Sequence, residues 1–129
     1  MRAKVNMLFS VVTPYMVCKD LKLHIENGDS NLPVVKDPKV NNNKFLVLSR
    51  EFVSLSVSDK LQYGNIIDFI SYSKSISYTA SFDYVLSQFE SHIDAALFSS
   101  LKWLKRDIVE YLENLKTINN RLLKLKSNL

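Results

Sequence analysis

Asp68, Asp83 and Glu90 are the side chains from which acid–base chemistry could be built, and Cys18, His24 and His92 are the others with nucleophilic or metal-binding character. A catalytic carboxylate needs a partner that it can orient or deprotonate, and nothing in these spacings sets up a nucleophile beside an oriented base. The chain has two glycines, too few for a glycine-rich loop that cradles phosphate. Cys18 is alone, which excludes an intramolecular disulfide and any site with several thiolate ligands from one chain. It reads as a small buried hydrophobe. The sequence therefore points away from an enzyme, and neither a metal nor a cofactor is expected.

With no reactive constellation to explain, the informative residues are those that build surfaces. At 129 residues and 47% apolar content, the chain can bury a core of its own. No apolar run approaches the eighteen or so residues of a bilayer span, and "MLFSVVTPYMVC" is interrupted by Pro14. The basic-then-apolar start lacks a small-residue cleavage pattern, so the expected location is the cytoplasm, or the nucleus in a eukaryote. The formal charge is +4, and it is unevenly spread. Residues 1–44 hold seven Lys/Arg against four Asp/Glu, residues 45–92 three against five, and residues 93–129 seven against four.

Along the chain, Leu21, Leu23 and Ile25 alternate with polar neighbours before Asn27-Gly28, which predicts a strand closed by a tight hairpin turn with positive φ. Pro33-Val34-Val35 is predicted as no more than an edge strand, followed by a loop over 36–44. "FLVLS" and "FVSLSVS" are predicted to pair as a hairpin around Arg50-Glu51. From Asn65 onward two readings compete. Ile66, Ile67, Phe69 and Ile70 share a helical face, whereas Ile70, Tyr72, Ile76 and Tyr78 alternate as in a strand. A short helix at about 65–73 is the reading adopted.

The strongest periodicity lies at the C-terminus. Leu97, Leu101, Leu104, Ile108, Tyr111, Leu115, Ile118, Leu122, Leu125 and Leu129 are spaced alternately four and three residues apart. A stripe this regular stays in register on a helix that supercoils round a partner, because a straight helix drifts by about 20° per heptad. At about 1.5 Å per residue the seam is roughly 50 Å long. Leu112 and Leu123 widen the stripe, as a helix folded on its own core would require, so intramolecular packing is the competing reading. Phe82, Leu86, Phe89 and Ile93 carry the stripe upstream, with a four-plus-four stutter into Leu97 that marks a junction. Trp103, beside Lys102, Lys105 and Arg106, reads as half buried on a solvated face, with a phosphate-binding collar as the alternative.

These elements predict an α+β protein: a small β-rich N-terminal head over 1–92 with short helices, then a long heptad-patterned C-terminal helix over 93–129. The predicted function is non-enzymatic interaction or assembly, as a homo-oligomer or with a helical protein partner. Leu97, Leu101, Leu104, Ile108, Tyr111, Leu115, Ile118, Leu122 and Leu125 are the predicted contact residues.

The stretch "FLVLSREFVSLSVSDKLQYGNIIDFISYSKSISYTASFDYVL", residues 45–86, resembles the zinc-ribbon domain at the N-terminus of bacterial-type primases. In that family a hairpin carrying zinc ligands leads through a glycine to a short apolar helix with an Ile-Asp-Phe core, then a loop and a second helix. Gly64, Ile67, Asp68, Phe69, Ser77 and Tyr84 carry the match. The family's hairpin cysteines fall at Val57 and Lys60, neither of which binds zinc, so the resemblance implies a ribbon held by apolar packing. It also implies, as the alternative function, a replication accessory module that binds single-stranded nucleic acid through Lys44, Arg50, Lys60 and Tyr63.

Overall fold

The computed structural model describes residues 1–28, 31–40, 42–55 and 63–127; at Tyr63, Asn120 and 122–127 only the backbone is described. The chain begins with two helices, α1 (Arg2–Val11) and α2 (Pro14–Asp20). It continues through strands β1 (Ile25–Asn27), β2 (Pro33–Lys36), β3 (Lys44–Val47), β4 (Phe52–Ser54) and β5 (Tyr63–Gly64). Helices α3 (Ile66–Lys74) and α4 (Tyr78–Gln88), a 3-10 turn (Glu90–His92), α5 (Ala95–Trp103) and α6 (Lys105–Ser127) complete it. The strands form one antiparallel sheet in sequence order, to which β5 adds only two residues. The protein is thus α+β.

The N-terminus departs from the expected β-rich head. Val5, Leu8 and Val12 recur at helical spacing and are buried, so α1 has a core face. Pro14 stands at the first position of α2, where its missing N–H is no loss, and the Thr13 hydroxyl accepts from Met16 N–H. The first predicted strand shrinks to Ile25–Asn27 because Leu21 still belongs to the end of α2 and Lys22 takes a left-handed φ of 59°.

The tight Asn27-Gly28 turn is replaced by a longer connection. Gly28 N–H donates to Leu32 C=O at 2.8 Å, and Asn31 is left-handed, with φ 59°. Asparagine tolerates that region through its short polar side chain. Nor is β2 an edge strand: it lies between β1 and β3. Pro33 is accommodated because it occupies the first position and pairs only with Asn27, the β3 ladder beginning at Val34↔Leu46. The β3–β4 hairpin forms as read, with Phe45↔Ser54 and Val47↔Phe52 in register around Arg50-Glu51.

Helix α3 resolves the ambiguity after Asn65 in favour of the helix. A reciprocal cap fixes its start: Asn65 Oδ1 accepts from Ile67 and Asp68 N–H at 2.8 and 3.0 Å, and Asp68 Oδ2 accepts from Asn65 N–H at 2.9 Å. Its apolar face meets the sheet through aromatic rings. Phe69 stacks on Phe52 with centroids 3.8 Å apart and meets the edge of Phe45 at 5.3 Å. Buried Asp37 ties the β2–β3 loop to the same helix, accepting from Lys39 and Val40 N–H and from the Tyr72 hydroxyl at 2.7 Å. Every one of its partners is supplied by the fold.

The C-terminal stripe is not one uninterrupted helix. The stutter at Phe89–Leu97 coincides with the 3-10 turn, after which Asp94 caps α5 by accepting from Ala96 and Leu97 N–H. A second interruption falls at Leu104, where φ is −92° and ψ 7°. The two helices cover different neighbours: α5 packs on α1, and α6 on α4 and β5. One core cluster joins Val5 of α1 to Leu112 of α6.

Candidate functional site

The structure divides the predicted contact residues into groups. Leu97, Leu101 and Ile108 are buried in the protein's own core, and Leu104 and Tyr111 are partly buried against it. Within the single chain Leu97, Leu101 and Ile108 therefore pack on the protein's own core, and Leu104 and Tyr111 keep part of their surface open. Leu115 and Ile118, one and two steps further along the stripe, are 38% and 54% exposed. The side chains of Leu122 and Leu125 lie outside the described residues, as does Leu129.

Trp103 also differs from its reading as a half-buried residue: at the turn between α5 and α6 its indole is 88% exposed. Two of its cationic neighbours have intramolecular partners, Lys105 bonding Asp83 at 2.7 Å and Lys102 lying over the Phe98 ring. Of the residues proposed for nucleic acid, the two whose side chains are described lie apart. Lys44 begins β3 and faces Glu26 at 3.8 Å, while Arg50 sits beyond the far end of that strand. Lys60 and the Tyr63 side chain lie outside the described residues.

Arg50 instead lines a cavity of about 190 Å³ that the sequence did not announce. Its walls come from four parts of the fold: Phe9 of α1, Arg50 and Glu51 of the β3–β4 turn, Asn65 and Asp68 at the start of α3, and Tyr111, Leu115 and Lys116 of α6. Asp68 is the residue of chemical interest. It is 2% exposed, and while Oδ2 holds the helix cap, Oδ1 is buried without a hydrogen-bond partner. Burial raises its carboxyl to about 6, against smaller lowering effects from the Asn65 backbone N–H, the Lys116 charge and Tyr78. The Tyr78 hydroxyl is itself raised, by burial first and then by the Asp68 charge. Near neutral pH this carboxylate is ionised at a cost that the fold does not fully offset.

The remaining candidates are placed simply. Cys18 is wholly buried, which pushes its thiol up to about 12 and removes thiolate chemistry at neutral pH. Asp83 is bound to Lys105, and Glu90 begins the 3-10 turn, so neither is assembled with Asp68. Among the described residues no group of three His, Cys, Asp or Glu could hold a metal ion, and no helix is long and apolar enough to cross a membrane. The signal for the cavity was present as Asn65-x-x-Asp68, a capping-box spacing, but that pattern places a carboxylate at a helix start without showing what lies above it. Comparison with protein families, curated proteins and solved structures finds no match to this chain.

Proposed function

We propose that the chain is a non-enzymatic interaction protein, acting in the cytoplasm, that self-associates through the distal part of α6. The carrying observation is the exposure of Leu115 and Ile118 on a stripe whose earlier members Leu101 and Ile108 are fully covered and Leu104 and Tyr111 partly so. Burying such side chains stabilises by roughly 1.5–3 kcal/mol each, so an exposed continuation of a core stripe favours association. Charge favours a second copy as the occupant. Within α6, residues 105–114 contain Asp107, Glu110 and Glu113 against two cations, whereas residues 115–127 contain Lys116, Arg121, Lys124 and Lys126 and no acid. Two such helices laid antiparallel set the acidic half of each against the basic half of the other. Light scattering across a dilution series tests this: the wild type should approach twice 14.9 kDa and Ile118→Asp should remain at 14.9 kDa. A wild-type mass of 14.9 kDa at every concentration would reject the reading.

A second reading is the replication accessory module, favoured by the order of elements. A hairpin, Gly64, the short apolar helix α3 and then α4 follow one another in the order that the primase-ribbon resemblance implies, and Phe45, Phe52 and Phe69 pack between the hairpin and α3; Val57 and Lys60, where the family has ligands, lie outside the described residues. Fluorescence anisotropy with a labelled single-stranded oligonucleotide at low salt checks it. Binding that weakens steeply as salt rises supports it, and no binding at low salt removes it.

A further inference from the structure

We propose that the face shared by α1 and α5 docks on an anionic phospholipid surface, with the Trp103 indole seated among the headgroups. One side-chain bond ties the two helices together there: Lys4 Nζ donates to Ser100 Oγ at 2.9 Å. Met7 and Val11 lie one and two turns along α1 from Lys4, and Ala96 and Trp103 lie one turn to either side of Ser100 on α5. Helical periodicity therefore sets all four along the seam that this bond crosses. The other sides of both helices face the core, through Val5, Leu8 and Val12 of α1 and Leu97 and Leu101 of α5. Along the seam Met7 is 52% and Val11 39% exposed, Ala96 is exposed, and Trp103, at 88%, is the most open large apolar residue among those described. Apolar groups gathered in the open in this way mark an interaction surface.

Charge selects the occupant. Helices α1 and α5 contain Arg2, Lys4 and Lys102 and no Asp or Glu, and Arg106 follows one turn after Trp103. The acids nearest in sequence to α5 are Asp94, which is engaged in capping it, and Asp107 in α6. Among the described residues Lys102 and Arg106 form no salt bridge, and the partner of the Lys4 ammonium is a neutral hydroxyl, so these charges stand uncancelled. A second copy of the same face would be repelled by it. Single-stranded nucleic acid stacks successive bases on several rings, and along this seam only Trp103 is aromatic. A bilayer surface is flat and asks only for a protruding apolar group in a basic setting. Indole settles at the headgroup level, its ring in an apolar surrounding and its N–H hydrated. Each Lys or Arg nearby adds attraction to anionic lipid. Helices of this kind lie on a membrane and do not span it. None of these residues belongs to the exposed end of α6.

The test uses the full chain and two kinds of vesicle, one of phosphatidylcholine and phosphatidylserine in equal parts and one of phosphatidylcholine alone. Trp103 is the chain's single tryptophan, so its fluorescence reports on this face and no other. Mixed vesicles should move the emission to shorter wavelength and carry the protein down on sedimentation, less so as salt rises. Phosphatidylcholine alone should bind at least about tenfold more weakly. Trp103→Ala, followed by sedimentation, should weaken binding to mixed vesicles at least about tenfold. The double variant Lys102→Gln, Arg106→Gln should weaken it by a similar factor. All three side chains are exposed, so the circular dichroism of both variants should match that of the wild type. Absence of sedimentation with mixed vesicles at low salt would overturn the proposal, as would equal binding to phosphatidylcholine alone or undiminished binding by Trp103→Ala. A fluorescence shift with poly-L-glutamate or an oligothymidylate and none with mixed vesicles would give the face to another anionic partner and overturn it as well.

Discussion

The two parts of the C-terminal stripe have the same alternating four-three spacing and opposite surroundings. From Leu97 to Leu112 the stripe faces α1, α4 and the sheet, and Leu101, Ile108 and Leu112 are at most 1% exposed. From Leu115 the cover thins, and Leu115 is 38% and Ile118 54% exposed. Periodicity thus reports that a helix face is to be covered, without reporting what covers it. The amount of neighbouring structure decides, and it is exhausted about three turns into α6.

The largest expected effect comes from placing the same charge on each side of this divide. Ile108→Asp puts an unpaired carboxylate in a fully buried position and should cost more than about 4 kcal/mol, enough to leave the chain largely unfolded in circular dichroism. Ile118→Asp should change the stability of the dilute monomer by no more than about 0.5 kcal/mol in urea denaturation. Equal losses at the two positions would erase the distinction. Phe69→Ala, which empties the stack between the sheet and α3, should cost about 3–5 kcal/mol without altering association.

Asp68 sharpens the comparison from the cavity side. Its folded carboxyl is raised from 3.8 to about 6, so between those values the folded protein binds more protons than the unfolded chain. Its contribution to stability is therefore lost as pH rises from about 4 to 6, and above pH 6 the penalty is complete. Asp68→Asn removes that dependence and should stabilise the protein by about 1–3 kcal/mol at pH 7.5 relative to its effect at pH 4. Urea melts at the two pH values measure it, and a difference that is absent or of the opposite sign would contradict the assignment. Asn65→Ala should cost about 1 kcal/mol from the lost cap, measured in the same urea melts.

How far these features were legible depends on the range of the interactions behind them. The β3–β4 hairpin and α3 were readable because their signals are local: alternation on either side of Arg50-Glu51, and four apolar residues on one helical face. The N-terminal helices were missed although Val5, Leu8 and Val12 carry a helical period, because the charged and proline-containing start obscured a short pattern. The inner position of β2 is not legible because residue type alone does not tell a proline at the first position of a strand, as Pro33 is, from one within the ladder. Of the cavity only the Asn65-x-x-Asp68 spacing was legible, because its walls come from α1, a hairpin turn, α3 and α6, a property of packing rather than of residue type.

The most direct test of the divided stripe is amide hydrogen exchange as a function of protein concentration. Covering by a second copy predicts that protection of amides around Leu115–Ile118 rises with concentration, while protection from Leu97 to Leu112 stays constant. Protection around Leu115–Ile118 that is the same in dilute and concentrated solution would contradict it.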